Sequence, residues 1–104
     1  MSGFSLEELA VIIRARNDAS ADKSYTKSLL EGGPARVSRK LGEEAVETII
    51  AALDGNAEAL RDEAADLLYH LLVLLEVKGV KLEDVMSELE RRTDRSGLDE
   101  KASR

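Results

Sequence analysis

The run Leu60-Arg61-Asp62-Glu63-Ala64-Ala65-Asp66-Leu67-Leu68-Tyr69-His70-Leu71-Leu72-Val73-Leu74-Leu75 decides the fold. At 100° per residue, Leu60, Ala64, Leu67, Leu68, Leu71, Leu72 and Leu75 cover one broad side of a helix, and Ala65, Tyr69 and Val73 widen it. Only a narrow polar stripe remains, and it holds Glu63, Asp66 and His70. A helix apolar nearly all round sits in the middle of something. In a chain of 104 residues, that something is a helix bundle completed by a second copy. Asn56 is a good cap for the start of this helix, and Gly79 marks its end.

Upstream, across Asp54-Gly55, lies Lys40-Leu41-Gly42-Glu43-Glu44-Ala45-Val46-Glu47. It belongs to a second long helix that begins at Pro34, a residue suited to a first helical position, and continues to Asp54. Leu41, Ala45, Val46, Ile49, Ile50 and Leu53 share one side, while Lys40, Glu43, Glu44 and Glu47 share the other. Folded as an antiparallel hairpin about Gly55, the two helices pair Glu47 with Glu63, Glu44 with Asp66 and Lys40 with His70. Turn geometry leaves that register free by about two residues.

Further out, Ser5-Leu6-Glu7-Glu8 is a capping box, and Leu6, Leu9, Ala10 and Ile13 follow at helical spacing. A first helix is therefore expected from about Leu6 to Arg16. Asn17 to Lys23 is polar, and Ser24-Tyr25-Thr26 leads into a short helical turn that stops at Gly32-Gly33. A last helix carries Leu82, Val85, Met86 and Leu89 and frays beyond Arg92. Neither β-type alternation nor an internal repeat is present. The expectation is an all-α, four-to-five-helix bundle forming a single domain over residues 1–95, completed by oligomerisation. Residues 96–104 read as a C-terminal tail or an arm that orders on a ligand or partner.

Composition narrows the function classes. Hydrophobic residues make up 43%, but Phe4, Tyr25 and Tyr69 are the only aromatics, so the aliphatic core is thin and association would help it. No cysteine is present, which excludes disulfides and thiolate metal sites. A formal charge of −6 argues against nucleic acid as a partner. The N-terminus has neither a basic nor an apolar signal region. The stretch from Leu67 to Val77 is broken by His70 and Glu76 and is too short to span a bilayer. A cytoplasmic location with no membrane contact is expected.

Four or five carboxylates converging from two helices repel one another unless protons or cations neutralise them. Hard oxygen ligands without cysteine suit Mg²⁺ or Mn²⁺. Glu43, Glu44 and Glu47 alone would pass for a solvated face. Glu63 and Asp66 lie on an otherwise apolar helix, however, where unpaired acids are costly. For His70, packing inside the hairpin is the better reading. Gly42 costs about 1 kcal/mol relative to alanine inside a helix. It is either tolerated or lets a ligand or helix approach the backbone closely.

The block Lys40-Leu41-Gly42-Glu43-Glu44-Ala45-Val46-Glu47 followed by Glu63-Ala64-Ala65-Asp66-Leu67-Leu68-Tyr69-His70 resembles the EExxE…ExxD signature of the all-α nucleoside-triphosphate pyrophosphohydrolases. Ser24-Tyr25-Thr26, the Tyr69-His70 pair with Val73-Leu74-Leu75, and the ending Val85…Glu88-Leu89…Arg92 are similar to one branch of it, the phosphoribosyl-ATP pyrophosphohydrolase family of histidine biosynthesis. The resemblance spans nearly the whole chain, lacks a fused cyclohydrolase domain, and departs nowhere at the acidic positions. It implies hydrolysis of the α–β phosphoanhydride of 1-(5-phosphoribosyl)-ATP. Metal ligands would be Glu44, Glu47, Glu63 and Asp66, with Glu43 either a further ligand or the base that orients water. Lys40 would meet a phosphate oxygen. Ser24, Tyr25, Thr26, His70, Arg91, Arg92 and Arg95 are candidates for holding phosphates or ribose phosphate, although arginines near a helix C-terminus are favourable there in any case. Two rivals stand beside this reading. One is a house-cleaning pyrophosphohydrolase acting on other nucleoside triphosphates; the other is a non-catalytic helical dimerisation module whose polar stripe is satisfied by salt bridges.

Overall fold

The computed structural model describes residues 3–93, and these form four α-helices with no strand among them. Helix α1 spans Leu6–Ala15, and the Ser5 hydroxyl accepts the Glu8 N–H at 3.1 Å at its start. Arg16, expected as the last helical residue, instead caps α1 and opens a short 3₁₀ turn, Arg16–Asp18. Such tightening satisfies carbonyls left over at a helix end. Helix α2 spans Tyr25–Asp54, with the Ser24 hydroxyl accepting the Lys27 N–H at 3.1 Å. The two segments expected on either side of Gly32-Gly33 are thus the two arms of one elbowed helix.

The elbow is at Gly33, with φ 81° and ψ 177°. This region is open essentially only to glycine. Pro34 then starts the long arm, since its fixed φ suits a first helical residue and its missing N–H is no loss there. At the other end, Gly55 makes a tight turn: a Cβ there would come within 2.8 Å of the Ala51 carbonyl oxygen and 3.2 Å of the Ala59 Cβ. Helix α3, Ala57–Lys78, follows at once, capped by Asn56 Oδ1 accepting the Ala59 N–H at 2.8 Å and closed by left-handed Gly79. Helix α4 spans Leu82–Thr93.

The core sits at one end of this hairpin. Ile13 of α1, Leu29 and Val37 from either side of the elbow, and Leu72 and Val73 of α3 are buried together. Toward the Gly55 turn the packing is different. The residues of the long arm that are buried are Val37, Glu44 and Ala51, seven apart and so on one side of the helix. The side of α2 that faces α3 is therefore the side that carries Glu44. Val46, Ile49, Ile50 and Leu53 face outward, with Leu53 78% exposed. Leu60 and Leu68 of α3 are exposed as well. In one chain, then, α3 is enclosed over only part of its length, and the apolar face of α2 is uncovered.

Gly33 is the most exacting backbone position. Nothing lies within 4 Å of the place a Cβ would occupy, so a substitution meets only the backbone strain. Gly33→Ala is expected to destabilise the fold by about 1–3 kcal/mol, read as a lower urea midpoint at unchanged slope. An unaltered midpoint would show that the elbow relaxes.

Candidate active site

Within the hairpin, α2 presents Glu44 toward α3, which presents Glu63 and Asp66. One carboxylate oxygen from each lies within 4.8 Å of the others. The register is set by Thr48. Its hydroxyl is 2.7 Å from the Glu44 carbonyl one turn back and 3.2 Å from the Glu63 carbonyl across the interface, one donor shared between the helices. The expected pairing of Glu44 with Asp66 and Glu47 with Glu63 is therefore met to within a residue. Thr48 itself is not visible as a functional position in the sequence, where it is one polar residue between Glu47 and Ile49.

Glu44 is 8% exposed, while Glu63 is half-buried and Asp66 and Glu47 are exposed. Oε2 of Glu44 and Oε2 of Glu63 are both buried with no hydrogen-bond partner. Among the described residues, no lysine, arginine or histidine forms an ion pair with Glu44, Glu47, Glu63 or Asp66. Burial raises the pKa of Glu44, and the neighbouring Glu47 and Asp66 add to the rise. Sharing a proton with Glu47 raises Glu63 to about 7, with burial and the charges of Glu47, Glu44 and Asp66 acting the same way. A polar stripe satisfied by salt bridges, as a dimerisation module requires, is not what the hairpin contains. Unpartnered carboxylate oxygens converging on one point are a donor set that fits a hard divalent cation.

Other candidates fall around this cluster. Lys40 Nζ is 3.4 Å from Glu43 Oε2, and this contact raises the lysine's pKa, helped by the charge of Glu43 and by Tyr25 and Glu44. Glu43 is exposed and lies outside the three-acid group. Open space surrounds the Gly42 Cβ position, so neither a helix nor a side chain of this chain presses on its backbone. His70 is 5% exposed and lies behind the site. Its Nδ1 is 2.7 Å from the Asp66 carbonyl, which only accepts, so Nδ1–H donates there, and Nε2 lies 3.5 Å from the Tyr25 hydroxyl. Both ring nitrogens are thereby engaged, as a packing histidine requires. The Tyr25 and Tyr69 rings stack with centroids 6.4 Å apart, and the Thr26 hydroxyl is bonded to that of Tyr69. Ser24 spends its oxygen on capping α2.

Arg91 and Arg92 both clasp Glu88 one turn back, Arg91 through two bonds of 3.0 and 2.6 Å and Arg92 through one of 2.9 Å. These bonds hold the Glu88 carboxyl at about 2. The structure thus gives the two arginines a partner on α4 rather than among the α2–α3 acids. Arg95 and the tail expected over 96–104 lie outside the described residues. No helix among the described residues is long and apolar enough to cross a membrane.

The hairpin thus brings carboxylates from two antiparallel helices to one place. Comparison with known sequences gives the family. The family model described as phosphoribosyl-ATP pyrophosphohydrolase matches residues 6–93. The phosphoribosyl-ATP pyrophosphatase of Methylobacterium nodulans is 55% identical over 104 residues, covering 100% of this chain and 97% of that protein. Those of Rhizobium johnstonii and Rhizobium rhizogenes are 53% and 51% identical over the whole of this chain, covering 97% and 100% of their own lengths. The chain belongs to the phosphoribosyl-ATP pyrophosphohydrolase family.

The raised carboxylates give a pH dependence with a definite sign. Between the ordinary value of 4.5 and about 7, folded Glu63 keeps a proton that the unfolded chain has released. The stabilisation is complete below that window and is lost as pH rises through it, and Glu44 acts in the same direction. In chelator-treated protein the melting temperature is expected to fall from about pH 5 to about pH 8, and saturating Mg²⁺ to restore it most at the higher pH. Calorimetry showing no Mg²⁺ effect at about pH 8 would refute the cation site.

Proposed function

We propose that this chain hydrolyses the α–β phosphoanhydride of 1-(5-phosphoribosyl)-ATP, giving 1-(5-phosphoribosyl)-AMP and pyrophosphate, the second step of histidine biosynthesis. The observation that carries the reading is the convergence of Glu44, Glu63 and Asp66 with two buried oxygens unpartnered. Membership of the family supports the choice of substrate.

Glu44, Glu63 and Asp66 would hold Mg²⁺, with Mn²⁺ the alternative, and Glu47 completes the set beside Glu63. Such a cation supplies charge neutralisation for phosphate oxygens and a more acidic water. Glu43 would be either a further ligand or the base that orients that water, and Lys40, one turn before Glu44, would meet a phosphate oxygen. His70 links the Tyr25 hydroxyl at the start of α2 to the Asp66 carbonyl on α3, so that the tyrosine stands one turn from the acids. Pyrophosphate release from phosphoribosyl-ATP, ATP and dATP, with and without Mg²⁺, tests the whole reading. Preference for phosphoribosyl-ATP and dependence on the cation are the expected results.

Glu44→Gln and Asp66→Asn are each expected to lower kcat/KM on the order of 100-fold or more, since even partners of metal ligands cost 10–100-fold. Their melting temperatures without cation should hold or rise, because each removes a repelling charge. Lys40→Ala in the same assay should lose about 1.5–3 kcal/mol, and the loss should persist at saturating Mg²⁺. Near-normal turnover of the acid variants at limiting Mg²⁺ would overturn the ligand assignment.

The same reading includes a homodimer at least. Val46, Ile49, Ile50 and Leu53 of α2, with Leu60 and Leu68 of α3, make an exposed apolar surface of the kind that marks an interface. A second copy laid on it would complete the enclosure of α3. Sedimentation equilibrium at micromolar concentration should find no folded monomer of the wild type, and Ile49→Glu should weaken association. A stable, folded wild-type monomer would count decisively against it.

A further inference from the structure

Past the acids, the hairpin leads to a second charged place that neither the acidic signature nor the cation site uses. One turn along α3 from Asp66, roughly 4.5 Å in axial rise, Tyr69 and His70 meet Tyr25 and Thr26. Immediately after Thr26, the Lys27 Nζ donates to the Asn17 carbonyl at 2.7 Å, which pins the 3₁₀ turn Arg16–Asp18 beside the start of α2. The Asn17 side chain adds a bond to the Arg14 carbonyl at 3.1 Å and a longer one to Glu76 at 3.4 Å. The turn is therefore tied to α1, α2 and α3 at once, and Arg16 stands on it.

The cations around Arg16 are spent. Arg14 pairs with Glu76 at 3.5 Å, and Lys27 is shared between Asn17 and Glu31. Arg16 is exposed and forms no ion pair with any described residue. A favourable position at the end of α1 accounts for a positive charge there, but not for a guanidinium left unpaired on a turn held by three helices. Arg16 also lines an open hollow of about 400 Å³ together with Ile12, Ala15, Asp18 and Ala19. That hollow offers a planar donor fork for a phosphate and a carboxylate acceptor for hydroxyl groups, the complement of a ribose phosphate. Burial pushes the Tyr69 hydroxyl above its ordinary value, and the Thr26 hydrogen bond and, to a smaller extent, the Arg16 charge oppose that rise.

Contacts lead from the acids toward Arg16: Lys40 pairs with Glu43 one turn before the acids on α2, Tyr25 meets His70 one turn along α3 from Asp66, and Lys27, two residues after Tyr25, holds the Asn17 carbonyl next to Arg16. Phosphoribosyl-ATP runs from triphosphate through ribose and adenine to a second ribose and its 5-phosphate. We propose that Arg16 binds the 5-phosphate of the phosphoribosyl arm, with Asp18 accepting from that arm's ribose hydroxyls, and that this contact separates phosphoribosyl-ATP from ATP. The inference rests on the substrate reading given above and adds the residue that would enforce it.

The test is steady-state kinetics of the wild type, Arg16→Ala and Arg16→Lys at saturating Mg²⁺. The substrates are phosphoribosyl-ATP, the ribosyl-ATP that lacks only the 5-phosphate, and ATP. Arg16→Ala should lower kcat/KM for phosphoribosyl-ATP about 10- to 100-fold, chiefly through KM, because the contact is remote from the reacting phosphate. Ribosyl-ATP and ATP should be cleaved by Arg16→Ala as by the wild type, and Arg16→Lys should recover only part of the loss. An equal loss on all three substrates would make Arg16 a structural residue and overturn the proposal, and so would no loss on phosphoribosyl-ATP. Failure of the substrate reading shows separately: a wild type that cleaves ATP as well as phosphoribosyl-ATP sinks that reading, and the role of Arg16 with it.

Discussion

Repulsion between carboxylates is the constraint around which the chain is organised. Glu44 and Glu47 on α2 meet Glu63 and Asp66 on α3, with Glu44 buried and Glu63 half-buried between the helices. The glycine turn at Gly55 brings the helices together at one end, and the buried aliphatic cluster of Ile13, Leu29, Val37, Leu72 and Val73 clamps them at the other. Between the two, the Thr48 hydroxyl bridges the carbonyls of Glu44 and Glu63 at the height of the acids. Hydrophobic burial and two well-made ends thus hold in place a cluster that would otherwise spread. Burial and the neighbouring acids push the carboxyls of Glu44 and Glu63 above the ordinary carboxylate range.

Most of the local structure was legible because each boundary has a chemical marker. Ser5, Ser24 and Asn56 cap the helices they precede, and Gly33, Pro34 and Gly79 sit where their backbone preferences require. The hairpin register could be read from the acids because two i,i+3 pairs must fall at similar height once the turn is placed. What periodicity could not give is which side of α2 meets α3. A hydrophobic stripe is ordinarily read as the core side, yet here Val46, Ile49 and Ile50 face away and the side with Glu44 is buried. A single chain's pattern does not distinguish a face meant for its own core from one meant for another copy.

The contacts around the tyrosines were illegible for a different reason. Tyr25 reaches His70, and Thr26 reaches Tyr69, across the elbow at Gly33, and nothing in either neighbourhood encodes the meeting. The Glu88 clasp, by contrast, is local: Arg91 and Arg92 stand at i+3 and i+4 from an acid on the same helix.

A second copy on the uncovered face of α2 would bear on cation binding through the helix that carries the acids. The uncovered apolar side of α2 lies opposite its acid side on one helix, so a second copy packed there would exclude water from the helix that carries Glu44 and Glu47. Loss of water penalises the ionised form of a carboxylate and strengthens every repulsion between neighbouring ones. Both effects raise the cost of the cation-free, fully charged state, and both deepen the attraction for a divalent ion. The homodimer proposed above would therefore do more than supply area to a thin core: by raising the cost of the charged, cation-free acids it would increase their demand for a divalent ion.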